Sequence, residues 1–440
     1  MQRLEQIERK FLKPVVLLSV ALLFLMLLFS LLRTSIFYGT ENPDEHVIFE
    51  IVFLLLLAII AESVVVYLKQ PTVLVLLLLG IVMGPSFLGE AWSVLHPFLP
   101  FLPEEAPEII LNTHLVDVFA QLGAIILMYK VGLHSSLSKI FSGRNFAIAF
   151  LGIALPFFAG YAFAVYSGGG FVYALFLGAA LTATSVGVTV ALLKEAKLID
   201  KDFAQAIIGA AVIDDILSLL VLSLVLNMPA SFDPAALQPF AIILASAAIF
   251  MVGGVYAGRW FISTRIDHKE MSDKRFLYAL AFVFFYAYFA EFIGLSSIVG
   301  AFLAGLLLNY SRHKEEIEKR SYALEILFTP IFFISLGMLV DVPSLYQYAV
   351  PILLITIIAI ITKVAGCGLG ALLTGFKQND SALIGVGMSP RGEVALIVAL
   401  IGFTAGALTQ SEYSIISAMA FLTAVVTPPM MAPFLKKAGA

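Results

Sequence analysis

Stretches of about 20 apolar residues recur along nearly the whole chain, each long enough to cross roughly 30 Å of hydrocarbon as a helix. Fourteen such spans can be marked, at 13–33, 47–68, 72–89, 115–133, 146–166, 172–193, 204–226, 239–261, 276–294, 296–309, 324–340, 347–374, 381–404 and 412–434. Those at 72–89 and 296–309 are short. With 61% hydrophobic and 13% charged residues in a chain of 440, and a mean hydropathy of +1.01, no sizeable aqueous domain fits between them. The expectation is an all-α polytopic membrane protein.

Basic residues support the span count. With the N-terminus in the cytoplasm, all but three of the 26 Lys and Arg residues fall in inside loops, while the acidic stretches around 41–45 and 104–108 fall outside. A wrong count would scramble this alternation. The exceptions are Arg33, at the outer end of the first span, and Lys363 and Arg391, both in mid-span. The first span follows Arg9, Lys10 and Lys13 as a signal peptide would, but it is too long for a signal core and lacks a small-residue cleavage site, so a retained helix is expected. No soluble appendage is expected after residue 437. The single cysteine, Cys367, excludes a disulfide framework within one chain.

Setting aside residues 1–40, with their extra helix, and the linker span at 239–261 leaves two sets of six helices, 47–226 and 276–434. They start on opposite sides of the membrane, as in an inverted-topology repeat. The fifth member of each set is interrupted, by Thr182-Ala183-Thr184-Ser185-Val186-Gly187 in one and by Gly385 to Gly387 followed by Ser389-Pro390-Arg391-Gly392 in the other. Paired interruptions at corresponding places point to the substrate site of a transporter.

The intramembrane charges fall at the same depth. Asp214 and Asp215 occupy the middle of 204–226, Arg391 and Glu393 the middle of 381–404, and Lys363 lies just past the middle of 347–374. A charge at the bilayer centre costs about 2.5–3.5 kcal/mol even on the mildest insertion scale, so these five are expected to converge on one cavity. Three carboxylates then face two cations. If Lys363 pairs with one aspartate and Arg391 neutralises Glu393, one aspartate keeps no partner. Adjacent helical positions point about 100° apart, so Asp214 and Asp215 have different jobs. An unpartnered carboxylate in such a cavity is neutralised either by a proton or by a small cation, and competition for one position, exposed alternately to each face, is antiport.

These stretches, with Gly209-Ala-Ala-Val-Ile-Asp-Asp215, Gly294-Leu-Ser-Ser-Ile-Val-Gly-Ala-Phe-Leu-Ala-Gly305, Phe328-Thr-Pro-Ile-Phe-Phe-Ile-Ser-Leu-Gly-Met338, Thr362-Lys363-Val364 and Gly387-Met-Ser-Pro-Arg-Gly-Glu393, resemble the monovalent cation/proton antiporter superfamily, in particular its second branch of bacterial and archaeal sodium/proton antiporters. The resemblance covers about 40–435. It implies two crossed discontinuous helices in a core that moves against a dimerisation domain, a homodimer in a prokaryotic cell membrane, and no cofactor beyond the transported sodium and proton. By the same resemblance Asp215 is the ion-binding carboxylate and holds the sodium ion, and Asp214 is the partner of Lys363, as in members that are electrogenic.

Plainer roles compete with these. Thr182, Thr184 and Ser185 either line the cation site or bond their own helix. Arg391 and Glu393 are two apart and face each other only if Pro390 breaks the helix, which makes them a structural clamp on the crossing helices before ion handlers. The six histidines lie in or beside loops without metal-ligand spacing. An intramembrane aspartyl protease needs one aspartate from each of two helices, and a passive channel needs no lysine to cancel its own acidic site. Potassium/proton exchange is the second reading. No nucleotide-binding regulatory domain and no nucleic-acid contact are expected.

Overall fold

The computed structural model describes residues 47–68, 72–98, 113–135, 142–185, 200–228 and 253–439, with part of 189–198 and residues 245, 246, 249 and 250. The span expected at 13–33 lies outside them, and that at 239–261 is described only in part. Every regular element among the described residues is helical. In chain order they are α1 (Val47–Leu68), α2 (Thr72–Met83), α3 (Pro85–Leu95), α4 (Thr113–His134), α5 (Gly143–Tyr166), α6 (Phe171–Thr182) and α7 (Asp202–Leu226). After a π-helical turn at Ile262–Ile266 come α8 (Asp273–Phe292), α9 (Ser297–Leu308), α10 (Lys314–Met338), α11 (Val342–Gln347), α12 (Ala349–Leu373), α13 (Gln378–Gly387), α14 (Glu393–Thr404) and α15 (Gln410–Gly439).

Six described helices are long and apolar enough to cross a membrane alone: α5, α7, α8, α10, α12 and α15. A seventh span forms if α2 and the helical stretch from Pro85 to Phe98, bent by 48° at their junction, count together. The chain is a multi-pass membrane protein. The expected single span at 72–89 is thus a bent pair. Pro85 lacks an N–H and its ring fixes φ, so it opens a new helix after extended Gly84 more readily than it continues the old one.

The chain divides into two compact units. Among the described residues, the first comprises those up to 124 and 324–343. Here the Ser86 hydroxyl donates to Asp341 at 3.1 Å and accepts from the Val342 amide at 2.8 Å, tying the first turn of α3 to the segment after α10.

The second unit, residues 125–323 and 344–440, holds α5 to α9 and α12 to α15. Its spine is the pairing of α5 with α12, held close by small residues. A Cβ on Gly366 would strike the Leu151 carbonyl, and one on Gly370 would meet Ala147 O at 2.7 Å. Close backbone approach through glycine is how membrane helices gain packing where lipid supplies no hydrophobic drive between them. Gly152 of α5 faces Cys367 and the Lys363 stem of α12, so this crossing also makes the space in which Lys363 lies.

Four elements of the second unit are only about half a membrane long. At 12 residues each, α6, α9 and α14 rise about 18 Å, and α13, at 10 residues, rises less. In α6 and in the α13–α14 pair the chain unwinds at 183–185 and at 388–392, the interruptions expected from the sequence.

Candidate functional site

The two unwound stretches lie against each other. The Ser185 amide donates to Pro390 O at 2.8 Å, the Thr184 hydroxyl to Met388 O at 3.3 Å, and the Thr189 hydroxyl to Gly387 O at 2.6 Å. Backbone groups freed by a break need partners inside the protein, because hydrocarbon supplies none. These bonds meet that need from both sides of the crossing.

Two buried cations serve the remaining carbonyls. Lys363 donates to Thr182 O at 2.5 Å and to Asp214 Oδ1 at 2.7 Å. Arg391 donates through Nη1 to Ala183 O at 2.8 Å and through Nη2 to Ala359 O at 3.1 Å. Both stand at the C-terminal end of α6, where exposed carbonyls and the helix dipole favour positive charge. Lys363, Asp214 and Arg391 are all fully buried. The Arg391 amide donates to Thr423 Oγ1 at 3.0 Å, and Ser389 pairs with Thr427 at 3.1 Å, which docks the second break on α15.

Lys363 and Asp214 therefore meet as an ion pair. The expected neutralisation of Glu393 by Arg391 does not occur among the described residues. With Gly392 extended between them, at φ −162° and ψ −131°, the guanidinium turns into the carbonyls of Ala183 and Ala359. Glu393 instead accepts a hydrogen bond from the Ser185 hydroxyl at 2.9 Å. The clamp on the crossing is made by arginine and backbone carbonyls, not by an Arg–Glu pair.

The neighbouring aspartate has different surroundings. Asp215 has no hydrogen-bond or ion-pair partner among the described residues, and it lines a cavity of about 320 Å³ with Thr184, Glu393, Ala211, Lys130 and His134. His134 sits with Nδ1 at 2.9 Å from Lys130 O and Nε2 at 2.9 Å from Glu318 Oε1. Ser185 and Thr184 belong to this region through Glu393 and the cavity wall. Thr182 differs: its hydroxyl donates to Ala179 O of its own helix at 2.7 Å, and only its carbonyl takes part, as acceptor from Lys363.

Several residues of the crossing carry no strong sequence signal. Thr423 and Thr427 are hydroxyls four apart on one face of an apolar helix, a pattern that ordinary helix-bonded threonines share. Thr189 lies just past the segment that stood out. Oδ2 of Asp214, Oγ of Ser218 and Nε of Arg391 are buried without hydrogen-bond partners among the described residues. No group of three or more metal-ligating side chains occurs among the described residues.

Comparison with known proteins bears on what this crossing serves. The family described as "Sodium/hydrogen exchanger, transmembrane" matches residues 51–437. The chain is 36% identical over 393 residues to the Na(+)/H(+)-K(+) antiporter GerN of Bacillus cereus, an alignment covering 87% of this chain and 95% of that protein. It is 31% identical over 403 residues to the Na(+)/H(+) antiporter of Enterococcus hirae, covering 88% and 99%. Its fold is similar to that of the sodium proton antiporter MjNhaP1 from Methanocaldococcus jannaschii, with a TM-score of 0.68 and 17% identity over 91% of this chain and all of that one. With the family matched from residue 51 to 437, the chain belongs to the sodium/hydrogen exchanger family of monovalent cation:proton antiporters and is a transporter, not an enzyme.

Proposed function

We propose that this protein exchanges sodium for protons by alternating access, with Asp215 as the position for which the two compete. The observation that carries this reading is the asymmetry of the acidic pair. Asp214 is neutralised by Lys363, whereas Asp215 meets a cavity with no hydrogen-bond or ion-pair partner among the described residues. A carboxylate so placed takes a proton or a small hard cation, not both. Thr184 and Ser185 supply neighbouring hydroxyls. Arg391 holds the crossing together, and Thr182 contributes its carbonyl rather than its hydroxyl.

In this reading the chain carries inverted repeats at 47–226 and 276–434 joined by the linker helix, fourteen spans in all, works as a homodimer in a prokaryotic cell membrane and has both termini in the cytoplasm. Exchange is electrogenic if Lys363 releases its proton when Asp214 is protonated and takes it up again when Asp214 ionises. Potassium/proton exchange is a second reading, favoured by the similarity to a protein named for both sodium and potassium.

The test is Asp215→Asn in proteoliposomes with an internal pH dye. Sodium-driven proton flux is expected to disappear while the protein still inserts and elutes as a folded species. Substantial flux in that variant would falsify the shared site.

A further inference from the structure

Glu393 lines the same cavity wall as Asp215, and the cations nearest it are committed elsewhere. Arg391, two residues away, is fully buried against the carbonyls of Ala183 and Ala359. Lys363 holds Asp214 and Thr182 O. Lys130 has its ammonium over the Tyr322 ring, 5.8 Å from the centroid. Among the described residues, the side chain of Glu393 is hydrogen-bonded to the Ser185 hydroxyl and to its own backbone amide, and to no cation.

A carboxylate has about four lone-pair positions, and these two donors leave about half of them open. If Glu393 served only to accept from Ser185, a neutral amide would do so at a lower desolvation cost. What the carboxylate adds is negative charge facing the cavity, close enough to Asp215 for the two to repel. Two anionic oxygen donors that make no ion pair among the described residues draw a hard cation and raise its local concentration. The first turn of α14 supports an anion at this position through its free N–H groups.

We propose that Glu393 is a second carboxylate ligand for the transported monovalent cation, acting with Asp215. This rests on the reading of Asp215 given above. It separates the two acidic side chains by role: Asp215 is the group that exchanges proton for cation, and Glu393 sets how tightly the cation is held.

Glu393→Gln distinguishes this role from a structural one, because the amide oxygen still accepts from Ser185 while the charge is gone. In proteoliposomes loaded for sodium/proton exchange, Glu393→Gln is expected to raise the KM for sodium about tenfold with the maximal rate changed by less than about twofold, since one charge interaction at the binding step is lost. A wild-type KM in folded Glu393→Gln overturns the proposal, as does a loss of all exchange in that variant. Should Glu393→Gln fail to fold, Glu393→Asp takes its place: one methylene shorter, it withdraws the charge from the cavity, so a raised sodium KM is expected and a wild-type KM refutes. Asp215→Asn in the same assay keeps the two readings apart. Residual exchange there removes the shared site, while the Glu393 variants still report on the second carboxylate.

Discussion

Lys363→Ala is the perturbation whose consequences follow most directly from the geometry. The lysine is fully buried, with its ammonium 2.7 Å from Asp214 Oδ1 and 2.5 Å from Thr182 O. Its removal leaves Asp214 as a buried charge whose other oxygen, Oδ2, already has no hydrogen-bond partner. Breaking one side of a buried pair costs about 3–5 kcal/mol, because the remaining charge is uncompensated. Unfolding entropies of about 2 cal/mol/K per residue over 440 residues convert this to a fall in Tm of roughly 3–5 °C. The assay is thermal unfolding of detergent-purified protein followed by size exclusion, with two double variants as controls. Asp214→Asn added to Lys363→Ala removes the orphaned charge and is expected to recover more than half of the loss. Asp215→Asn added to Lys363→Ala leaves the orphan in place and is expected to recover less. If Asp215→Asn rescues better, the lysine serves the other aspartate, and the division of labour within the pair is reversed.

Other outcomes follow from the same contacts. Arg391→Lys keeps the charge but loses the planar fork that reaches Ala183 O and Ala359 O together, so a loss of stability of about 1–3 kcal/mol is expected from the carbonyl left without its donor, read as a lower Tm. Thr184→Val removes a cavity-wall hydroxyl and the bond to Met388 O; a higher sodium KM with a smaller change in maximal rate is expected, and an unchanged KM would confine the hydroxyl to holding the crossing. Lys363→Gln combined with Asp214→Asn is expected to retain exchange in proteoliposomes while losing its response to an imposed membrane potential. A voltage dependence that survives in that double variant would exclude Lys363 as the source of net charge movement.

Hydropathy located the membrane helices well where their ends coincide with the hydrocarbon boundary. The runs at 204–226 and 347–374 correspond to α7 at Asp202–Leu226 and α12 at Ala349–Leu373. It did less well where a helix continues past that boundary. The apolar run at 324–340 understates α10, which begins at Lys314, because a charged first turn is as helical as an apolar one once it leaves the lipid. The bend between α2 and α3 was missed for a related reason: hydropathy sums over the Gly84-Pro85 junction, while helix direction depends on it.

For the candidate site, the sequence by itself determined the inventory and its depth. Five charges in mid-span and two interrupted helices are legible because hydrocarbon makes each expensive, so that a chain carries them there only with a partner or a use. The tertiary structure decided who meets whom. Lys363 and Asp214 are 149 residues apart, and whether the lysine reaches Asp214 or Asp215 depends on how α7 faces α12, which neither helix encodes alone. Arg391 and Glu393, two apart, could pair only if the helix broke at Pro390, and the break alone does not bring them together. Extended backbone at Gly392 sends one into the carbonyls of the crossing and the other to the cavity wall beside Asp215. Charge and spacing along a chain constrain which partners are possible, but the direction of a side chain at a helix break is set by the backbone groups around it that must be satisfied, and those come from other segments.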